Sequence, residues 1–105
     1  MAWTYILECE DGSFYTGSTN RDLEARVWEH NNDPFFAAAF TWKRRPVSLV
    51  YAEQFDTVDQ AFFREKQIQG WSRAKKTALI ELRGADLPAL SKSRGGDAST
   101  GSATQ

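Results

Sequence analysis

Five side chains in this sequence have the types that metal-assisted cleavage of a phosphodiester requires. They are Tyr5 and Tyr15, ten positions apart, Arg26 and His30, one helical turn apart, and the distant Glu65. Phenols and an imidazole move protons, a guanidinium offers paired donors to phosphate oxygens, and a carboxylate holds a divalent cation. Each has a plainer reading in isolation. The tyrosines suit sheet packing, and His30 suits a solvent-facing or dipole-capping place at a helix C-terminus. Glu65 suits a buried ion pair, with Arg26 as partner, as well as it suits a metal. Whether folding gathers the five separates the two readings.

The elements that must position them follow from local pattern. Trp3 to Cys9 alternates among β-formers, Glu10-Asp11-Gly12 signals a turn, and Phe14 to Thr19 resumes an extended run, which makes a hairpin. Its register decides whether the phenols cooperate. A two-residue Asp11-Gly12 loop sets Tyr5 and Tyr15 on opposite faces. A three-residue loop with Gly12 left-handed pairs Cys9 with Ser13 and Leu7 with Tyr15, so both rings share a face. The second register is expected. It sets Gly17 opposite Tyr5, where the missing side chain leaves room for a ring or an incoming phosphate.

A first helix is expected from about Arg21 to His30, capped by Thr19 or Asn20, with Asp22 favouring its N-terminus and Asn31-Asn32-Asp33-Pro34 ending it. Arg26 and His30 then point at one spot. A loop carries Phe35 to Trp42, and its apolar Phe35 to Phe40 segment is expected to fold onto the core. Pro46 introduces a third strand, Val47 to Phe55, with strong β propensity. Thr57 and Gln60 form a capping-box signature for a second helix, Val58 to about Gln69, closed by Gly70. Its stripe of Val58, Ala61, Phe62 and Ile68 includes Glu65, an acid on an apolar face. Ser72 can cap a third helix, Arg73 to Arg83. From residue 84 to residue 105 the chain is rich in Gly, Ser and Thr and reads as a flexible polar tail. The order β-β-α-β-α-α implies an α+β domain over residues 1–83, a three-stranded antiparallel sheet flanked by helices.

Composition excludes several classes. A single Cys9, read as a small buried hydrophobe, permits no internal disulfide, and one Cys with one His makes no structural zinc site. No apolar run approaches the roughly 18 residues of a membrane span, so a cytoplasmic protein without membrane partners is expected. A net charge of −1 argues against a bulk nucleic-acid coat. Its distribution is uneven: residues 1–33 hold seven acids and two bases, and residues 34–83 hold nine bases and five acids. The bases cluster at Lys43, Arg44, Arg45 and at Arg73, Lys75, Lys76. With Phe40 and Trp42 beside the first cluster they suit a phosphate backbone, although each cluster alone also reads as solvated charge.

Tyr5-Ile6-Leu7, Phe14-Tyr15-Thr16-Gly17, Arg26 with His30, Arg44-Arg45-Pro46-Val47, Arg64-Glu65-Lys66-Gln67-Ile68 and Gly70-Trp71-Ser72-Arg73 occur in an order that resembles the GIY-YIG nuclease superfamily, its small free-standing bacterial members above all. The resemblance spans Trp3 to about Leu82. It departs from the pattern at Trp3-Thr4, where the first motif lacks its glycine, at Thr16, where isoleucine is usual, and at Ser18, where some relatives carry lysine. The resemblance implies a DNA endonuclease using one divalent ion, magnesium or manganese, at Glu65. Tyr15 would activate or position the attacking water, Tyr5 order that network, Arg26 steady the phosphate, His30 assist proton transfer, and Gly17 close the second motif.

Three functions are consistent with these features. The first is a metal-dependent endonuclease acting on structured or damaged DNA, in repair or recombination. The second is a non-catalytic nucleic-acid-binding module of the same fold. The third is a protein-interaction module using the Phe35 to Phe40 segment. Glu65 on an apolar stripe favours the first.

Overall fold

The structure, a computed structural model, describes residues 1–84. Two compact units divide the chain, Met1–Gly70 and a second beginning at Trp71. The expected tail, residues 85–105, lies outside the described residues.

The first unit is built on a three-stranded antiparallel sheet. Strand β1 (Ala2–Glu8) runs in the middle, between β2 (Phe14–Thr19) and β3 (Ser48–Phe55). The hairpin adopts the expected register, with Leu7 opposite Tyr15 and Tyr5 opposite Gly17. Gly12 has a φ of 86°, a conformation open to glycine without strain, and Cys9 exchanges backbone hydrogen bonds with Gly12 and Ser13 across the turn. A register shift between Ile6 and Leu7 marks a bulge where β3 pairs with β1.

Alternation along β1 gives the sheet two different faces. One carries Thr4, whose hydroxyl donates to the carbonyl of Ala61 at 2.7 Å and so seats helix α3 (Val58–Gln69). The other carries Tyr5 and Leu7, which with Cys9 and Val47 form a core flanked by Tyr15, Leu23, Val27 and Leu49. Helix α1 (Leu23–Asn32) covers this second face, and a single turn, α2 (Ala39–Trp42), packs against it.

Helix boundaries differ from expectation for chemical reasons. Asp22 is the N-cap of α1, because its carboxylate reaches the Ala25 amide at 2.9 Å, while Thr19 accepts from the Arg21 amide one turn earlier. The helix runs two residues past His30. The Asn32 amide group bonds back to the Trp28 carbonyl, and the Asn31 side chain makes two hydrogen bonds to the backbone of Val47, tying the helix end to the approach to β3. Helix α3 keeps its expected bounds and its reciprocal Thr57–Gln60 capping box.

Two packing expectations fail. Val58 and Phe62 are 43 % and 51 % exposed, so the buried stripe of α3 is narrower, made of Ala61 and Ile68 with Glu65 between them. Ala61, whose carbonyl accepts from Thr4, is where the helix meets the sheet, and Val58 and Phe62 lie to the side of that contact. The Phe35–Phe36 turn also faces solvent instead of folding onto the core, with Phe35 89 % exposed. Asp33 holds that turn by accepting from the amides of Phe35 and Phe36.

In the second unit, α4 (Arg73–Gly84) starts at Ser72, whose hydroxyl accepts from the Lys75 amide at 3.1 Å. Among the described residues no helix is long and apolar enough to cross a membrane.

Candidate active site

Four of the five side chains meet on the face of the sheet that carries α1. The register sets Tyr5 and Tyr15 side by side, and α1 sends His30 down between them. The Tyr5 hydroxyl lies 2.9 Å from His30 Nε2, and the Tyr15 ring centroid lies 5.2 Å from the imidazole. Gly17 makes this possible. A Cβ there would stand 2.6 Å from the Tyr5 hydroxyl and 3.0 Å from Cε2 of Tyr15.

His30 is fully buried, neither solvent-facing nor a charged cap. Burial, aided by the nearby Arg26 charge, drives its pKa from 6.5 down to about 4. At neutral pH it is therefore a neutral imidazole with one donor and one acceptor. Thr41 Oγ1 lies 2.7 Å from its Nδ1. Burial likewise pushes Tyr5 up to about 12 against the opposing influence of Arg26, so Tyr5 is a phenol.

Arg26 is held from two sides. Its Nη1 donates to Glu29 Oε1 at 3.0 Å and to the Phe36 carbonyl at 2.8 Å. Glu29 is braced in turn by Arg21. Burial opposes the Arg26 charge, but Tyr5 and Glu29 outweigh it and raise its pKa further. The ion pair between Arg26 and Glu65 that the sequence allowed is replaced by this one.

Glu65 reaches the site from the other side of the sheet. Its Oε1 accepts from Ser18 at 2.6 Å and its Oε2 from Gln69 Nε2 at 2.7 Å, while Lys66 stands 3.9 Å away. Gln69 also bonds the Thr16 carbonyl, pinning the acid to edge strand β2. Glu65 is nonetheless felt across that edge: burial first, and the Glu65 charge second, raise Tyr15 above the ordinary phenol value, while Arg26 works against them. The carboxylate side chain retains 12 % of its exposure. Both oxygens keep lone pairs beyond the single donor each accepts, so the acid fits one hydrated divalent ion. Among the described residues no three His, Cys, Asp or Glu side chains gather, so a cage of protein ligands does not form.

The first basic cluster lies next to this face through Phe40, which stacks on Tyr15 with centroids 6.0 Å apart. Arg44 covers the Phe40 ring at 3.9 Å and bridges to Asp11 at 3.2 Å, which commits it to structure. Arg45 lies 3.4 Å from the centroid of Trp42, and Lys43 is exposed at the end of α2. Arg73 and Lys76 belong to α4, as does Lys75, which lies over Trp71 at 4.3 Å.

Sequence reasoning missed Glu29, Thr41 and Gln69. Glu29 carried a signal, an acid three residues after Arg26 on one helix. Gln69 stands four residues after Glu65, the same kind of signal. Thr41 carried none, because it sits in the one-turn helix inside an apparent loop.

A family model described as the GIY-YIG catalytic domain matches residues 1–78. A UPF0213 protein of Staphylococcus saprophyticus is 49 % identical over 78 residues, 74 % of this chain and 92 % of the relative. One of Staphylococcus aureus is 44 % identical over 81 residues, 77 % of this chain and 95 % of that protein. The solution NMR structure of a UPF0213 protein from Bacillus halodurans superposes with a TM-score of 0.51 at 38 % identity, covering 80 % of this chain and 87 % of that one.

Proposed function

This chain belongs to the GIY-YIG catalytic domain family, and from that membership we propose that it is a metal-dependent endonuclease hydrolysing DNA phosphodiester bonds. The observation that carries the reading is the meeting of Tyr5, Tyr15, Arg26 and His30 over the side-chain-free Gly17, within the field of Glu65.

Arg26, already fixed by Glu29 and the Phe36 carbonyl, presents its remaining donors to a phosphate oxygen and stabilises charge developing there. Tyr15 is placed to orient the attacking water and, once its own proton has left to solvent, to take a proton from that water as a phenolate. Burial first and the Glu65 charge second hold the proton on Tyr15, so a cation neutralising Glu65 would favour the phenolate. Magnesium or manganese held by Glu65 with waters would supply positive charge at the leaving oxygen. Tyr5 and His30 form the buried wall that keeps Arg26 and Tyr15 in place. Lys43 and Arg45 contact the DNA backbone in the first unit, and in the second unit Arg73, Lys75 and Lys76 offer phosphate contacts of their own. Structured or damaged DNA, met in repair or recombination, is the substrate we assign.

Incubation with supercoiled, nicked and branched DNA, with and without magnesium, tests this. Cleavage that needs the metal and is lost in Tyr15→Phe, Arg26→Ala and Glu65→Ala is expected. Variants that cut like the parent would remove the site from the reaction. Binding that strengthens as salt falls yet never leads to cutting would point to a non-catalytic nucleic-acid module.

A further inference from the structure

Tyr5, His30 and Thr41 are linked in one buried line, and each is at most 1 % exposed. The Tyr5 hydroxyl is 2.9 Å from Nε2, Thr41 Oγ1 is 2.7 Å from Nδ1, and the Thr41 hydroxyl donates to the Ala38 carbonyl at 3.0 Å. Counting donors fixes the direction of this line. The phenol proton of Tyr5 needs an acceptor, and its other hydrogen-bonding partner, Arg26, can only donate. Nε2 is therefore bare and accepting. A neutral imidazole with a bare Nε2 carries its proton on Nδ1, which donates to Thr41, and Thr41 passes its own proton on to Ala38. The reverse order would aim both Nε2–H and Arg26 at the Tyr5 oxygen and leave the phenol proton with no acceptor, a costly state in a buried site.

We infer that Thr41 is a positioning residue, which by accepting from Nδ1 fixes His30 in the tautomer whose Nε2 takes the Tyr5 proton. The consequence is a division of labour between the phenols. The proton of Tyr5 is committed inward and its lone pair faces Arg26, so Tyr5 aims the guanidinium, and Tyr15 is left to act on water. The kinetic part rests on the nuclease reading, whereas the tautomer does not.

His30 is the sole histidine, so nitrogen NMR of the full chain labelled in its imidazole shows one pair of ring resonances. A protonated Nδ1 with a bare Nε2 at pH 7 is expected, and the opposite assignment overturns the inference whatever the protein cleaves. Thr41→Val removes the acceptor at nearly constant volume, so an Nε2–H population should appear, and Thr41→Ser should abolish it. In the cleavage assay kcat should fall about tenfold or more in Thr41→Val with KM little changed, and recover in Thr41→Ser. A Thr41→Val protein that keeps the parental spectrum and kcat overturns the assignment. Should that variant not fold, the parent spectrum decides alone.

Discussion

The Tyr5 hydroxyl occupies the space that a Cβ on Gly17 would enter, 2.6 Å from where that atom would stand. This pairing across β1 and β2 couples the second motif to the first, because the glycine is required by the phenol opposite it and not by a strained backbone.

Gly17→Ala should therefore damage both stability and activity. The added methyl must displace a fully buried ring, at a cost of about 1–3 kcal/mol. Urea unfolding of parent and variant measures it, and a midpoint unchanged by the substitution would show that Tyr5 yields freely.

His30 makes stability depend on pH. Above its ordinary pKa of 6.5 the imidazole is neutral folded or unfolded, and stability is full. Below it the unfolded chain takes a proton that the folded chain refuses until about pH 4, so stability falls through that window by on the order of 3 kcal/mol. Unfolding measured at pH 7.5 and 4.5 should show a larger loss in the parent than in His30→Gln, and equal losses would contradict the buried neutral state.

Arg26 and Glu29 should differ in degree. Arg26→Ala removes the proposed phosphate donor and should lower kcat by about 10²–10³, as loss of a charge-stabilising donor does elsewhere. Glu29→Gln keeps the guanidinium but loosens one of its anchors, for a loss nearer tenfold. Steady-state kinetics on one DNA substrate separates them, and an intact Glu29→Gln would leave the anchoring to the Phe36 carbonyl and Tyr5.

Ser18 should tune the metal requirement. Ser18→Ala frees the Glu65 oxygen that now accepts at 2.6 Å and removes the group that orients it. The magnesium concentration giving half-maximal cleavage should rise about tenfold, whereas Glu65→Gln should abolish cleavage at any magnesium level. A magnesium curve unmoved by Ser18→Ala would mean that Gln69 suffices to orient the acid.

Much of the fold was legible because its signals are local. The Thr57–Gln60 capping box bounded α3, and Glu10-Asp11-Gly12 set the loop length from which the shared face of Tyr5 and Tyr15 follows. The contacts that complete the site are not local. His30 meets Thr41 eleven residues away, and Glu65 meets Ser18 across forty-seven, through geometry that periodicity does not encode. Phe35 and Phe36 misled for a related reason: hydrophobicity signals burial, but the turn that Asp33 holds points both rings outward.

At position 36 the duty toward Arg26 is discharged by a main-chain carbonyl, an atom every amino acid owns. The aromatic group there can be exchanged without unseating the guanidinium, provided the bend survives. Positions 35 and 36 thus offer a place where new surface chemistry can be written beside the candidate site while the site itself stays as it is.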